Sequence, residues 1–150
     1  MNIAANLIFV LSVLNLFNNI LQVSTSDCEL FKGTQVVYSI FDVIIWPSAA
    51  HLSFYYGLYG ILQEPNKKHE QRLRFYKLSQ TALIILWFTF TIISTGSKDG
   101  WTKFSTFKKC AEEVNVDGKN NFGFIKFLTV MEIFMFYAAI GLGARCMYKI

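Results

Sequence analysis

The chain has 150 residues, enough for one four-helix unit with short loops and too few for a separate soluble domain. Apolar residues make up 53% and charged ones 16%, where soluble domains carry about 25% charged. The net charge of +4 is gathered beside apolar stretches, a placement that points to membrane topology and away from a nucleic-acid surface.

Four apolar stretches predict an all-α, integral membrane four-helix bundle, residues 1–150 forming one transmembrane domain. Each is about as long as the ~20 residues a helix needs to cross the bilayer core. The first runs over residues 2–23. It ends in small residues, Ser24-Thr25-Ser26, as a signal peptide can. No Lys or Arg precedes it, however, and it exceeds an ordinary signal core, so it reads as a span. Ile8, Ser12, Asn15 and Asn19 share one helical face. An outer loop, 24–35, follows with Cys28 and a single cation, Lys32.

The second span covers 36–62. Asp42, Trp46, Ala49, Ser53, Gly57 and Gly60 fall on one stripe, and Ala49, Ser53 and Gly57 make two small-xxx-small steps. Small residues let helices approach closely in lipid, where no hydrophobic effect draws them together. His51 lies off that stripe with Ser48, Tyr55 and Tyr59. This second face suits another protein chain; it also suits a histidine that snorkels, or bonds within its own bundle through Pro47, whose ring leaves the Val43 carbonyl without its helical donor. One histidine is too little for haem or zinc, which need converging ligands.

The inner loop, 63–77, holds Lys67, Lys68, Arg72, Arg74 and Lys77. A short basic loop beside a membrane helix is ordinarily a topology signal, and such clusters sometimes bind lipid headgroups. The third span, 78–95, places Gln80, Ile84, Trp87, Thr91 and Thr95 on one face. The second outer loop, 96–121, interleaves Trp101, Phe104 and Phe107 with Lys103, Lys108 and Lys109. That pattern fits a short amphipathic helix on the leaflet, a cap over the bundle, or a contact with another molecule. Asp117-Gly118 then gives a turn. The fourth span, 122–148, aligns Glu132, Phe136, Ala139, Gly143 and Cys146.

Alternation of direction puts the two outer loops on one side and the termini with the basic loop on the other. Arg145 and Lys149 add to the basic side, so both termini are expected to be cytoplasmic. Cys28 and Cys110 then face one compartment, where an oxidising environment would pair them, worth ~2–4 kcal/mol. Cys146, at the opposite end, is expected to be a free thiol. Asn15, Asp42, Lys126 and Glu132 are polar groups at membrane depth, where a central Asp costs ~2.5–3.5 kcal/mol. By depth, Asp42 could pair with Lys126, and a protonated Glu132 could bond Asn15. As a proton path these groups would need a relay through the full thickness. The inner halves of the stripes are instead Ala, Ser and Gly, which close a bundle.

The layout resembles the MARVEL-type tetraspan membrane proteins, the group of the synaptogyrin, synaptophysin and myelin-and-lymphocyte families. It shares four spans, a basic inner loop and cysteine-bearing outer loops. Leu86-Trp87-Phe88, with Trp101 beyond the helix end, is similar to the Leu-Trp-Phe segment of the synaptogyrin third span. The resemblance implies organisation of vesicle, junction or curved membranes through lateral self-association, with no catalytic residues. No P-loop, Gly-x-Ser-x-Gly or His-Glu-x-x-His motif occurs. The expectation is a structural, non-enzymatic protein without cofactor or metal, in a plasma or secretory membrane. Its partners would be the bilayer, copies of itself or other membrane subunits, and not nucleic acid. The alternatives are an accessory subunit of a larger assembly, such as a respiratory complex of the mitochondrial inner membrane, and a small ion or proton transporter.

Overall fold

The computed structural model describes residues 2–25, 33–62, 67–92, 100–113 and 121–149, and all of its regular structure is helical. Five helices follow one another: α1 (Asn2–Thr25), α2 (Gly33–Leu62), α3 (Lys67–Ile92), α4 (Gly100–Glu113) and α5 (Asn121–Tyr148). Helices α1, α2, α3 and α5 form a closed ring in which α1 packs on α2 and α5, and α3 packs on α2 and α5. Helix α4 lies across α3 and α5 as a cap.

Three stretches, Ile3–Ser24, Gly33–Leu62 and Gly123–Tyr148, are long and apolar enough to cross a membrane. At ~1.5 Å per residue, even the shortest exceeds a hydrocarbon core of ~30 Å. Helix α3 does not join this set. Its apolar half begins only at Leu78, and the helix continues backward through the basic stretch to Lys67. Most of the inner loop expected over 63–77 is therefore helix. Lys, Glu, Gln and Arg are strong helix formers, and Glu70 bonds Arg74 one turn on at 2.6 Å.

Several hydroxyls within the helices are satisfied locally. Ser12 donates to the Ile8 carbonyl at 2.9 Å, Ser48 to Ile44 at 2.6 Å and Thr89 to Ile85 at 2.8 Å. Pro47 lies inside α2, where its ring removes one helical donor. His51 Nδ1 and the Pro47 carbonyl are 2.7 Å apart one turn further on.

The ring's interior is layered. At one end, the small stripe of α2 receives α3: Tyr76, fully buried, lies against Gly57, and Leu73 lies against Gly60. A Cβ at Gly57 would stand 2.7 Å from the Tyr76 ring, so glycine is what admits the aromatic. Across the ring, a Cβ at Gly143 of α5 would stand 2.8 Å from the Gln80 amide nitrogen, so glycine admits that side chain in the same way. The middle is apolar and aromatic, with Leu11, Phe54, Trp87 and Phe136 buried. The end beneath α4 is polar and forms the site below. Outside, Ile44, Phe134 and many other large apolar side chains are exposed.

Candidate functional site

The most concentrated chemistry in the chain is a buried polar network at the α4 end of the ring. It is built by helical periodicity. Asn15, Asn18, Asn19 and Gln22 lie at steps of three and four along α1, so they converge on one face, and all four are buried. Thr129 and Glu132 do the same on α5, and Gln35 and Ser39 on α2. Into this ring α4 inserts a single cation. Lys103 and Glu132 each have no exposed side-chain area, and the ammonium lies 2.9 Å from both carboxylate oxygens.

Every charged atom of the pair meets a partner. Lys103 Nζ also donates to Asn15 Oδ1. Glu132 Oε2 accepts a further bond from Asn18 Nδ2 at 2.9 Å, and Thr129 Oγ1 accepts from the same amide at 3.2 Å. Gln22 Nε2 donates to Asn18 Oδ1 at 3.2 Å, holding that amide with its nitrogen toward the carboxylate. Asn19 donates to Asn15 Oδ1 at 3.0 Å and to Ser39 Oγ, which passes its own proton to the Gln35 carbonyl at 2.8 Å. The network thus joins α1, α2, α4 and α5 through one carboxylate and one ammonium. Isolated charges would be expelled from such a setting; paired and hydrogen-bonded, they are retained. Cap and ring are further joined where Trp101 Nε1 donates to the Tyr137 hydroxyl at 3.0 Å.

The residues expected at membrane depth are distributed unevenly. Asn15 and Glu132 both belong to the network, linked through Lys103. Asp42 is half-buried and accepts a bond from Trp46 Nε1 at 2.9 Å on its own helix. It borders, with Ser12, Asn15 and Trp87, a cavity of about 20 Å³, the space of a single water molecule. Lys126 is exposed, its ammonium 6.0 Å from the centre of the Phe104 ring. Ser53, Gly57, Gly60, Ala139 and Gly143 are buried between helices, and Ala49 is half-buried against the core. Ser53 makes a 2.8 Å bond with Ser79 and reaches Gln80 Oε1 at 3.3 Å. His51, Tyr55 and Tyr59 face outward, the two tyrosine rings stacked at 5.8 Å. Cys146 is a free, half-buried thiol. The expected Cys28–Cys110 bridge lies outside the described residues: Cys28 precedes α2, and only the backbone of Cys110 is described.

Sequence reasoning passed over Asn18, Gln22, Gln35, Ser39 and Thr129, and it counted Lys103 only among the cations of the second outer loop, with a leaflet helix, a cap or a partner contact all open. The asparagine and glutamine run of α1 was the available signal. Four carboxamides at helical spacing in an apolar segment require partners on other helices. Lys103 had a weaker one, as a cation flanked at three-residue spacing by Trp101, Phe104 and Phe107.

Among the described residues, no group of three His, Cys, Asp or Glu side chains converges as a metal site. Comparison with protein-family models, curated proteins and solved structures yields no match.

Proposed function

We propose that this chain is a structural, non-enzymatic tetraspan membrane protein that associates laterally with copies of itself to organise or shape a membrane. In this reading α3 is the fourth span through its half beyond residue 78, and both termini lie on the cytoplasmic side with the basic stretch. The α4 cap and both outer loops lie on the other side, where Cys28 and Cys110 pair. The MARVEL-type arrangement is the architecture this describes, in a plasma or secretory membrane.

One observation supports the assembly reading above all. The outward face of α2 carries Tyr55 and Tyr59, 59% and 40% exposed, as a stacked pair beside exposed His51. Aromatic rings with polar tips are enriched at protein contacts. The small-residue stripe of α2, by contrast, is spent inside the ring against Tyr76 and Leu73. That leaves the tyrosine face as the surface for a neighbour. The interior supports a structural role as well, because Glu132 and Lys103 neutralise each other within the fold.

The test is dilution of the protein in bilayers of fixed composition, with proximity between differently labelled copies as readout. Self-assembly predicts proximity above random mixing, weakened by Tyr55→Leu together with Tyr59→Leu. A protein that stays monomeric at every protein-to-lipid ratio overturns the proposal. Purification from its native membrane at fixed stoichiometry with many different chains assigns it instead as an accessory subunit. Ion flux in liposomes that disappears in Asp42→Asn or Glu132→Gln assigns it as a transporter.

A further inference from the structure

At the basic end of the bundle, the seam between α3 and α5 holds two buried donors without an acceptor. Tyr76 and Gln80 lie one turn apart on one face of α3, and both are fully buried. Among the described residues, the Tyr76 hydroxyl and Gln80 Nε2 meet no hydrogen-bond partner. Ser53 donates to Gln80 Oε1 at 3.3 Å, which fixes that end of the amide. The nitrogen end is turned to α5, where a Cβ at Gly143 would stand 2.8 Å from it. Buried polar groups are ordinarily paired, so two unpaired donors in one seam call for an acceptor.

The residue at this place on α5 is Cys146. It follows Gly143 by one turn on the same helical face and packs against the core cluster that contains Tyr76. It is a free, half-buried thiol. Burial, and after it the charge of Cys146, push the Tyr76 hydroxyl up to about 12. The phenol therefore keeps its proton as a donor, within electrostatic reach of the sulfur. Thr81 Oγ1 donates to Met147 Sδ at 3.5 Å and holds the end of α5 to α3 beside them. Sulfur is a weak acceptor, whereas an oxygen carried on it would be a good one. The level fits a lipid modification. The apolar half of α3 begins at Leu78, so Tyr76 and the thiol lie at the edge of the hydrocarbon. Exposed Lys77, Arg145 and Lys149 flank them in the chain.

We infer that Cys146 is an S-acylation site, whose long-chain fatty thioester is held by its carbonyl oxygen on the Tyr76 hydroxyl and the Gln80 amide. An acyl thioester of the basic-side compartment supplies the chain. The bond from Cys146 Sγ to the acyl carbon forms as the donor's own C–S bond breaks. The Cys146 proton leaves with the donor's thiol, and nothing is oxidised or reduced. A carbonyl oxygen has two lone pairs, one for each buried donor. The acyl chain enters the leaflet beside α5 and ties that end of the bundle to the membrane, reversibly, since a thioester can be cleaved. The inference rests on the membrane reading above. Oxidation of the thiol to a sulfenic acid would offer the same donors an oxygen, so the experiment carries a separate arm for it.

The experiment uses the full-length protein synthesised into phosphatidylcholine vesicles, where Cys146 starts as the thiol, with palmitoyl-CoA as donor. Mass spectrometry of the intact chain and its peptides is the readout. The proposal predicts one acyl group per chain, on Cys146, released by neutral hydroxylamine and absent from Cys146→Ser. Tyr76→Phe keeps the ring against Gly57 and removes only the donor. At a fixed ratio of palmitoyl-CoA to CoA, its equilibrium ratio of acylated to free Cys146 should fall about fivefold, the factor that one net hydrogen bond contributes. Tyr148→Phe removes an exposed hydroxyl two residues from Cys146 and leaves the ratio unchanged. With an isotope-labelled carbonyl, the infrared stretch of the thioester should lie lower in the parent than in Tyr76→Phe, a shift that a merely structural role does not produce. Gln80→Met removes the other donor and serves if Tyr76→Phe does not incorporate. No acyl group on Cys146, as much on Cys28 or Cys110, or a Tyr76→Phe variant with the parent's ratio or stretch overturns the site. With hydrogen peroxide in a parallel arm, a single oxygen gained at Cys146 without any acyl transfer reassigns the modification to oxidation and overturns the acyl assignment. Flotation with the vesicles is read separately in every variant. A protein that floats yet takes no acyl group fails the site alone, whereas one that does not float fails the membrane reading.

Discussion

Replacing Lys103 by methionine keeps the unbranched side chain to one atom short of its length and deletes its charge. Glu132 then keeps its bond from Asn18 but loses both contacts with the ammonium at 2.9 Å, and Asn15 Oδ1 loses a donor. Both partners are fully buried, so water does not replace the missing cation. Breaking a buried pair from one side costs about 3–5 kcal/mol, because an uncompensated charge is left behind. The double variant Lys103→Met, Glu132→Gln removes both charges and keeps an acceptor for Asn18 in nearly the same shape. Replacing a whole buried pair is often near neutral. The double variant should therefore recover most of the loss, with a coupling of at least 2 kcal/mol. Unfolding in mixed micelles by titration of a denaturing detergent, followed by tryptophan fluorescence, gives the four free energies of the cycle. A single variant within 1 kcal/mol of the parent, or a double variant as unstable as the sum of the two singles, refutes the reasoning that the charges hold each other in the core.

Gly57→Ala should destabilise by about 1–3 kcal/mol in the same unfolding assay, since its Cβ would meet the Tyr76 ring at 2.7 Å and that ring is fully enclosed. Gly60→Ala should cost distinctly less, because the atom it meets at 2.9 Å is the end of the flexible Leu73 side chain. Asn18→Ala leaves both Glu132 Oε2 and Gln22 Nε2 short of a bond, and a loss of about 1–3 kcal/mol should appear. Thiol labelling of the unreduced, unfolded protein should find one reactive cysteine, Cys146; three reactive thiols would remove the Cys28–Cys110 bridge.

How much of this was legible in the sequence follows from the range of each interaction. Periodicity within a single helix is local, and it indicated the inward faces of α1 and α5 and the small stripe of α2. The extent of α3 was misjudged because hydropathy changes at Leu78 whereas backbone hydrogen bonding does not. Charged side chains that end an apolar run do not end a helix, and Lys67–Lys77 propagates the same rod. The partner of Glu132 was out of reach for a different reason. It is 29 residues away on a helix whose own composition is that of a surface segment. Depth along the helices gave Lys126 to Asp42 and left Glu132 the Asn15 amide as its partner. Position in the folded ring instead favours a lysine reaching inward from the cap. Pattern identifies the face of a helix; which distant side chain completes a buried charge depends on how the elements dock.

The placement of Lys103 also orders events in time. In a chain made from its N-terminus, α1 and α4 are synthesised before α5, so Asn15, Asn18 and Lys103 exist before Glu132 does. The acid of the last helix thus enters a layer whose amides and cation have already been supplied. A span with a carboxylate near its middle is a poor independent insertion unit, yet it becomes a good one once that carboxylate has a destination. On this view α4 is a chaperone built into the chain, and severing it from α5 should impair the membrane entry of the final helix before it affects anything else.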